Sequence, residues 1–362
     1  MNPQRLLSIV CLSLGMLVGG PAALAQPTSI TPAVISASDL SQEQKDQIKQ
    51  FVDAHKGGMS GTPTEIKRSR NALLEALRGT DVSVAFRLEY ARQLVPVLRP
   101  LLADKREVVA VNALRVAGEL GTASGVDLLS EGLKDQRPGV RYAAAAGFES
   151  TFQAIRRTVP ALAGAQAAKA IDTLEVALTA EKDARVLEGL SLAIQEATRV
   201  PNRQVEGLRD AAAFSLARAV SAKAADRSVG AWADAAFRRA VLTIRQTVTN
   251  QDINEPRLSD KTLRAAAGMA GDMLAVVSQR MKANGSGDAD LALLVSEAEK
   301  AVFFISPSLN VANPKETTLS DLVRQGKAAE YQQQVLQLIG PNGLLTSPNF
   351  GFSDDHFIKP PK

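Results

Sequence analysis

Few residues of this 362-residue chain have the types that do chemistry, and their spacing is poor for it. The histidines are His55 and His356, and the one cysteine is Cys11. A nucleophile needs a base held beside it, and a zinc site draws on several His or Cys ligands. Spacing alone assembles neither from this inventory. No Gly-x-Ser-x-Gly, His-Glu-x-x-His or phosphate-cradling glycine loop occurs. Asp354-Asp355-His356 is the one cluster of metal-ligand types. Adjacent ligands strain to reach one ion, so it reads as a polar tail segment. His55 reads as a residue favouring the negative end of a helix. A carboxylate pair could still meet in space, but carboxylates on helix surfaces usually serve solvation. The expectation is a protein that is not an enzyme and holds no cofactor or metal.

Two other groups of residues stand out by composition. Residues 199–245 carry nine basic residues, Arg203, Arg209, Arg238 and Arg239 among them, against four acidic ones. Such a face suits an acidic protein, an anionic lipid surface or nucleic acid. Trp232 is flanked by alanines and reads as core, and no aromatics interleave with the arginines for base stacking. Nucleic acid is therefore disfavoured. The second group is Phe350, Phe352 and Phe357 in the segment 341–362. A disordered tail would not concentrate aromatics. Either the tail folds back as a cap over the last repeat, or it is an extended ligand for another protein's groove. The cap is the preferred reading.

The first residues read as an address. Arg5 precedes the apolar run Leu6 to Val18, Gly19-Gly20-Pro21 stops any helix, and Ala23-Leu24-Ala25 offers the small residues a signal peptidase accepts. A secretory signal peptide over 1–25 is expected, with a periplasmic or secreted mature chain. Cleavage would remove Cys11, leaving no thiol and no span long enough to cross a membrane. The net charge of +4 falls by one with Arg5, too small an excess over this length to drive binding by itself. A charged fraction of 22% and mean hydropathy near zero exclude a disordered chain and a multi-span membrane protein.

The elements that must position these residues are helices. Residues 26–37 read as a linker, and from Ser38 the apolar pattern has a 3.6-residue period with almost no strand signal. Ser41 to Gln44 is a capping box opening a helix over 39–56. Thr62-Pro63-Thr64-Glu65 opens another, ending at Gly79. Pro96, Pro100, Pro138-Gly139, Pro160, Pro201, Pro256, Gly285-Ser286-Gly287 and Pro307 punctuate the rest, and Gly340-Pro341 closes the last helix. The fold class is all-α.

An internal repeat organises the middle. Leu102, Asp104, Arg106 and Val109 coincide with Leu133, Asp135, Arg137 and Val140 at an offset of 31, and Ala113 matches Ala144. Leu77 and Val84 keep the same spacing upstream, and Leu178 to Val186 gives a looser copy. This resembles the HEAT repeat, in the bacterial form also seen in bilin-lyase-type proteins. Leu133, Asp135 and Val140-Arg141-Tyr142-Ala143-Ala144 carry the resemblance best. The first copy departs from the pattern, with Ala110 in place of Arg and Asn112 in place of Ala. The match covers about 77–197.

The resemblance implies a right-handed α-solenoid of antiparallel helix hairpins over 38–340. Leu208 to Ala213 and Leu263 to Ala267 echo Val140 to Ala145. The second half is thus a degenerate continuation or a plain helical bundle. Each hairpin has an apolar face it cannot bury alone, so neighbours must stack. The inner face is expected from helices near 95–102, 123–133 and 164–178, with Asp135 and Arg141 as internal ties. The functional expectation is an exported scaffold binding another protein. The alternatives are an enzyme or small-molecule binder of bilin-lyase type, and an anionic-surface or nucleic-acid binder using 199–245.

Overall fold

In the computed structural model the described residues are 29–226, 229–250, 255–284, 288–312, 314 and 318–358. Residues 1–25, where a signal peptide is expected, lie outside them, as do Gly285-Ser286-Gly287 and the last four residues. The described chain is all-α, with one isolated β-bridge between Thr122 and Ala161.

Local sequence sets many helix starts. In the segment expected to be a linker, α1 (Pro32–Ile35) buries Val34, and the Ser83 N–H donates to the Ile35 carbonyl at 3.0 Å. The correction has a simple cause: Ile30, Val34 and Leu40 supply an apolar side too short to show a period. Ser41 accepts the Gln44 N–H at 3.2 Å while the Gln44 side chain accepts the Ser41 N–H at 2.9 Å, starting α2 (Gln42–Lys56). Thr62 and Glu65 close the same box on α3 (Pro63–Glu75), which stops short of Gly79. Pro96 does not punctuate; it lies near the end of α4 (Val84–Leu98), where burial of Leu94, Val95 and Leu98 outweighs one lost hydrogen bond.

The helices alternate between two rows. The first row holds α2, α4, α6 (Ala123–Gly132), α8 (Gly164–Ala180), α10 (Leu208–Ala225), α12 (Asp260–Asn284) and α15 (Ala328–Ile339). The second holds α3, α5 (Glu107–Leu120), α7 (Pro138–Arg157), α9 (Ala184–Ala197), α11 (Asp234–Thr249), α13 (Ala289–Ser308) and α14 (Leu319–Arg324). Through α13 most helices pack on a sequence neighbour across the rows and on the next-but-one along their row; α14 then follows α13 within the second row, and α15 packs on α12 and α14. One hydrophobic core runs from Ile30 to Phe357, so stacked hairpins continue through 200–340 and the bundle alternative falls away. The echoes at Leu208 and Leu263 lie in first-row α10 and α12, whereas Val140 starts second-row α7. They share composition, not position in the repeat. The Leu77–Val84 spacing likewise spans a turn at the opposite edge from Leu133–Val140.

Between α4 and α9 the second row is the tighter. A Cβ on Gly118 of α5 would stand 2.5 Å from the Gly147 Cα of α7, so these backbones touch. First-row α4, α6 and α8 meet more sparsely. The second row is the more closely packed here, and the helices near 95–102, 123–133 and 164–178 belong to the first row. At the next step the balance reverses: α8 and α10 close up while α9 and α11 part.

A ladder of cations ties the turns that lead from first row to second. Asp104 accepts from the Arg106 N–H at 2.8 Å, and Arg106 donates back to the Ser60 and Gly61 carbonyls. Asp135 and Arg137 repeat this on the Leu102 and Asp104 carbonyls, at 2.9 and 2.8 Å. Arg141 holds the Asp135 and Gln136 carbonyls and a two-pronged pair with Glu181, at 2.8 and 2.9 Å. Lys223 then reaches the Thr179 and Glu181 carbonyls, and Arg280 those of Val229 and Gly230. Asp135 is held below the usual carboxylate range by the Arg137 hydrogen bonds. Burial pushes the Glu181 carboxyl up, but the hydrogen bonds from Arg141 and from the Asp183 and Lys182 N–H groups outweigh it, and the net shift is down.

Candidate functional site

The second row turns a stripe of side chains outward at helical spacing: Arg115 on α5; Tyr142, Glu149, Gln153 and Arg156 on α7; Glu188 and the half-buried Leu192 on α9; Arg238 and Arg239 on α11. Neighbouring helices are laced across it by arginine–carboxylate pairs. Arg157 lies 3.9 Å from Glu119, joining α7 to α5. Arg156 lies 2.8 Å from Glu196 and Arg239 2.8 Å from Glu188, joining α9 to α7 and α11. Arg238 with Asp290 at 3.0 Å and Arg245 with Glu297 at 2.6 Å join α11 to α13. Burial, reinforced by Glu196, raises the pKa of Glu149, and Arg239 and Arg199 only partly offset it.

Where α9 and α11 part, a cleft of about 610 Å³ opens at the end of this stripe. Arg156, Gln195, Arg199, Arg209, Thr243 and Glu255 are among its lining residues. Arg199 shares Glu196 with Arg156, at 3.3 Å. Arg209 is buried and donates to the Thr247, Asn250 and Pro256 carbonyls. Glu255 accepts the Asn202 N–H at 3.1 Å. Neither Glu149 nor Asp234, whose carboxyl burial also pushes up, lines this cleft. A second cavity, about 630 Å³, lies on the first-row side between α8, α10 and α12, beside Glu175, Arg218, Asp272, Phe352 and His356.

The structure distributes the sequence-predicted residues widely. Val109 and Val140 are fully buried, Leu133 nearly so and Leu102 partly, as layer fillers. Asp104, Asp135 and Arg141 are ladder members. The four basic candidates do not converge: Arg209 is an internal tie, Arg238 and Arg239 are ion-paired, and Arg203 stands exposed in the loop after α9. The basic count concealed acidic partners on α9 and α13 that lie outside 199–245. Trp232 is not core; it is 38% exposed in a 3-10 turn beside the Lys223 ammonium. His55 lies in the last turn of α2 edge-on against Phe51, and burial together with Arg68 lowers its pKa, which weakens it as a helix-end cation.

The tail is docked within the chain. Phe350 and Phe357 are buried, and Phe352 and Phe357 lie on α12 where Gly268 and Gly271 lack side chains. The Asn349 amide donates to the Leu309 and Asn310 carbonyls, at 3.1 and 3.3 Å. His356 stacks with Phe352 and Phe357, and no group of three metal-ligating side chains occurs among the described residues.

Sequence reasoning missed Arg137, although its coincidence with Arg106 was the visible signal. It also missed Arg156, Gln195 and Thr243. Arg156 falls on the far side of a 43-residue loop-and-helix interval from Arg199, and nothing local marks Gln195 or Thr243.

No family model matches this chain, and no curated protein does. Among solved structures, it is similar to the crystal structure of an engineered protein from the Northeast Structural Genomics Consortium. That likeness is 18% identical, covers 90% of this chain and 79% of the other, and has a TM-score of 0.30.

Proposed function

We propose that the chain is an exported, non-catalytic scaffold of HEAT-like hairpins that binds another protein through its second-row face. The single observation that carries this reading is the lacing of that face from α5 to α13 by arginine–carboxylate pairs. Side chains already held in place lose little freedom when a partner arrives, so more of the contact energy survives as affinity. Tyr142, 45% exposed in the middle of the closely packed stretch, and the half-exposed arginines are of the types that dominate protein interfaces. Export rests on the leader-like residues 1–25. The pairing of Arg238 and Arg239 speaks against a free cationic surface for lipid or nucleic acid.

A photo-crosslinker placed at Tyr142 on the second row, against one at exposed Asp172 on the first, tests the reading in a cell-envelope extract. Partner adducts at 142 and not at 172 are expected. Adducts confined to 172, or none at either site, would sink it.

A further inference from the structure

We infer that the α9–α11 cleft binds the carboxylate side chains of an acidic protein segment. This deepens the proposed function and rests on it for the partner being a protein. Donors and acceptors in the cleft are unequally used. Arg156 is ion-paired with Glu196 through Nε, and Arg199 donates one Nη to the same carboxylate. Neither guanidinium has another partner among the described residues, although each carries five N–H donors. The Gln195 amide, on a residue 6% exposed, has no hydrogen-bond partner there. Thr243 is 2% exposed and its hydroxyl is buried without a partner.

Part of the acceptor side is already in use. Glu255 is used by the Asn202 N–H, and the Thr247 and Asn250 carbonyls by Arg209. A cleft whose two guanidiniums keep most of their N–H donors unused favours an acceptor-rich ligand. Charge agrees, since three guanidiniums face the carboxylates of Glu255 and Glu196. The fork of a guanidinium matches a carboxylate in two-pronged fashion. Arg156 belongs both to the outward stripe and to the cleft lining, so a segment lying along the face runs into the cleft. A lone small anion would leave most of the 610 Å³ unfilled.

The test titrates the full chain into a fluorescently labelled polyglutamate peptide at low salt and reads anisotropy. Saturable binding is expected, weakened about tenfold by the double variant Arg156→Gln with Arg199→Gln. Thr243→Val should weaken it about threefold. Arg238→Gln, outside the cleft, should change it less than about twofold. Thermal unfolding of every variant separates lost binding from lost fold, and Arg199→Lys keeps the charge while removing the fork. Absent saturable binding, or equal binding by a folded double variant, overturns the assignment. Displacement by citrate or inorganic phosphate at matched charge would mark a small-anion site and overturn the protein segment. A partner crosslinked at Tyr142 with no peptide binding removes this site and leaves the scaffold. Peptide binding with no crosslinked partner does the reverse.

Discussion

The α5–α7 and α9–α11 junctions join neighbours of the same row by opposite means. At α5–α7 the side chains have been removed: Gly118 meets Gly147, and the Thr151 hydroxyl donates across to the Gly118 carbonyl at 3.0 Å. Backbone lies on backbone, polar groups are satisfied, and no room is left for anything else. At α9–α11 the facing positions carry Gln195, Arg199, Thr243 and Thr247, and the helices stand apart around a cleft. Polar side chains of that length hold axes open, and Thr243 is left with an unpaired hydroxyl. One junction is built for stability; the other gives up some stability where a ligand could repay it. The same repeat architecture therefore yields a tightly packed junction and an open cleft by changing a few facing residues.

Substitutions at each junction put this contrast at risk. The largest effect is expected from Gly118→Ala, whose methyl would press on the Gly147 backbone, at a cost of about 3 kcal/mol or more. Gly189→Ala meets the Tyr142 ring at 3.2 Å, which can swing away, and the Ala145 methyl at an ordinary 3.4 Å, so it should cost under about 1 kcal/mol. Urea unfolding midpoints decide: equal losses would remove the close approach as the basis of the tight junction.

Next comes Arg137→Ala, which cuts the ladder at the tight end. It breaks the Asp135 pair and two carbonyl ties, for about 2 kcal/mol. The pH dependence has a definite sign. Because the folded Asp135 pKa is lowered, its contribution is complete above the ordinary aspartate value of about 3.9 and is lost as pH falls through the lower folded value. Thermal unfolding between about pH 2 and 6 should show a smaller acid-limb loss in the variant than in the parent. Parallel curves would deny Asp135 this role.

The smallest effect is that of Glu149→Gln, on the stripe near the open junction. Its raised pKa means that the fold binds the proton more tightly than the unfolded chain does. The resulting penalty is absent below the ordinary glutamate value of about 4.3 and grows as pH rises through the folded value. The variant should therefore gain under about 1 kcal/mol at neutral pH, a gain limited by solvent screening, and nothing in acid. A loss at neutral pH would instead make Glu149 part of the face's ion-pair network.

Much of the fold was legible. The boxes at Ser41 and Thr62 act over three residues, and the Leu133, Asp135, Val140 turn acts over seven, so each is written where it operates. Legibility failed where the information lies on another helix. Trp232 looked buried because its neighbours in sequence are alanines, yet its neighbours in space leave it exposed. Arg209, Arg238 and Arg239 looked like one cationic surface. Their partners, the Thr247 carbonyl, Asp290 and Glu188, lie 38 to 52 residues away.

Residue order alone dictates that the chain is helical, where many helices begin, and that hairpins with one apolar side must stack. Capping and the 3.6-residue apolar period are local, and burial of an apolar stripe is compulsory in water. It took the packed fold to settle which row packs more tightly, which arginines are spent on carbonyls, and where two helices part to leave a cleft. Those outcomes depend on the spacing of axes, which follows from whether the residues that meet are two glycines or an arginine and a threonine. The members of such a meeting are far apart in sequence: Gly118 and Gly147 lie 29 positions apart, and Arg199 and Thr243 lie 44.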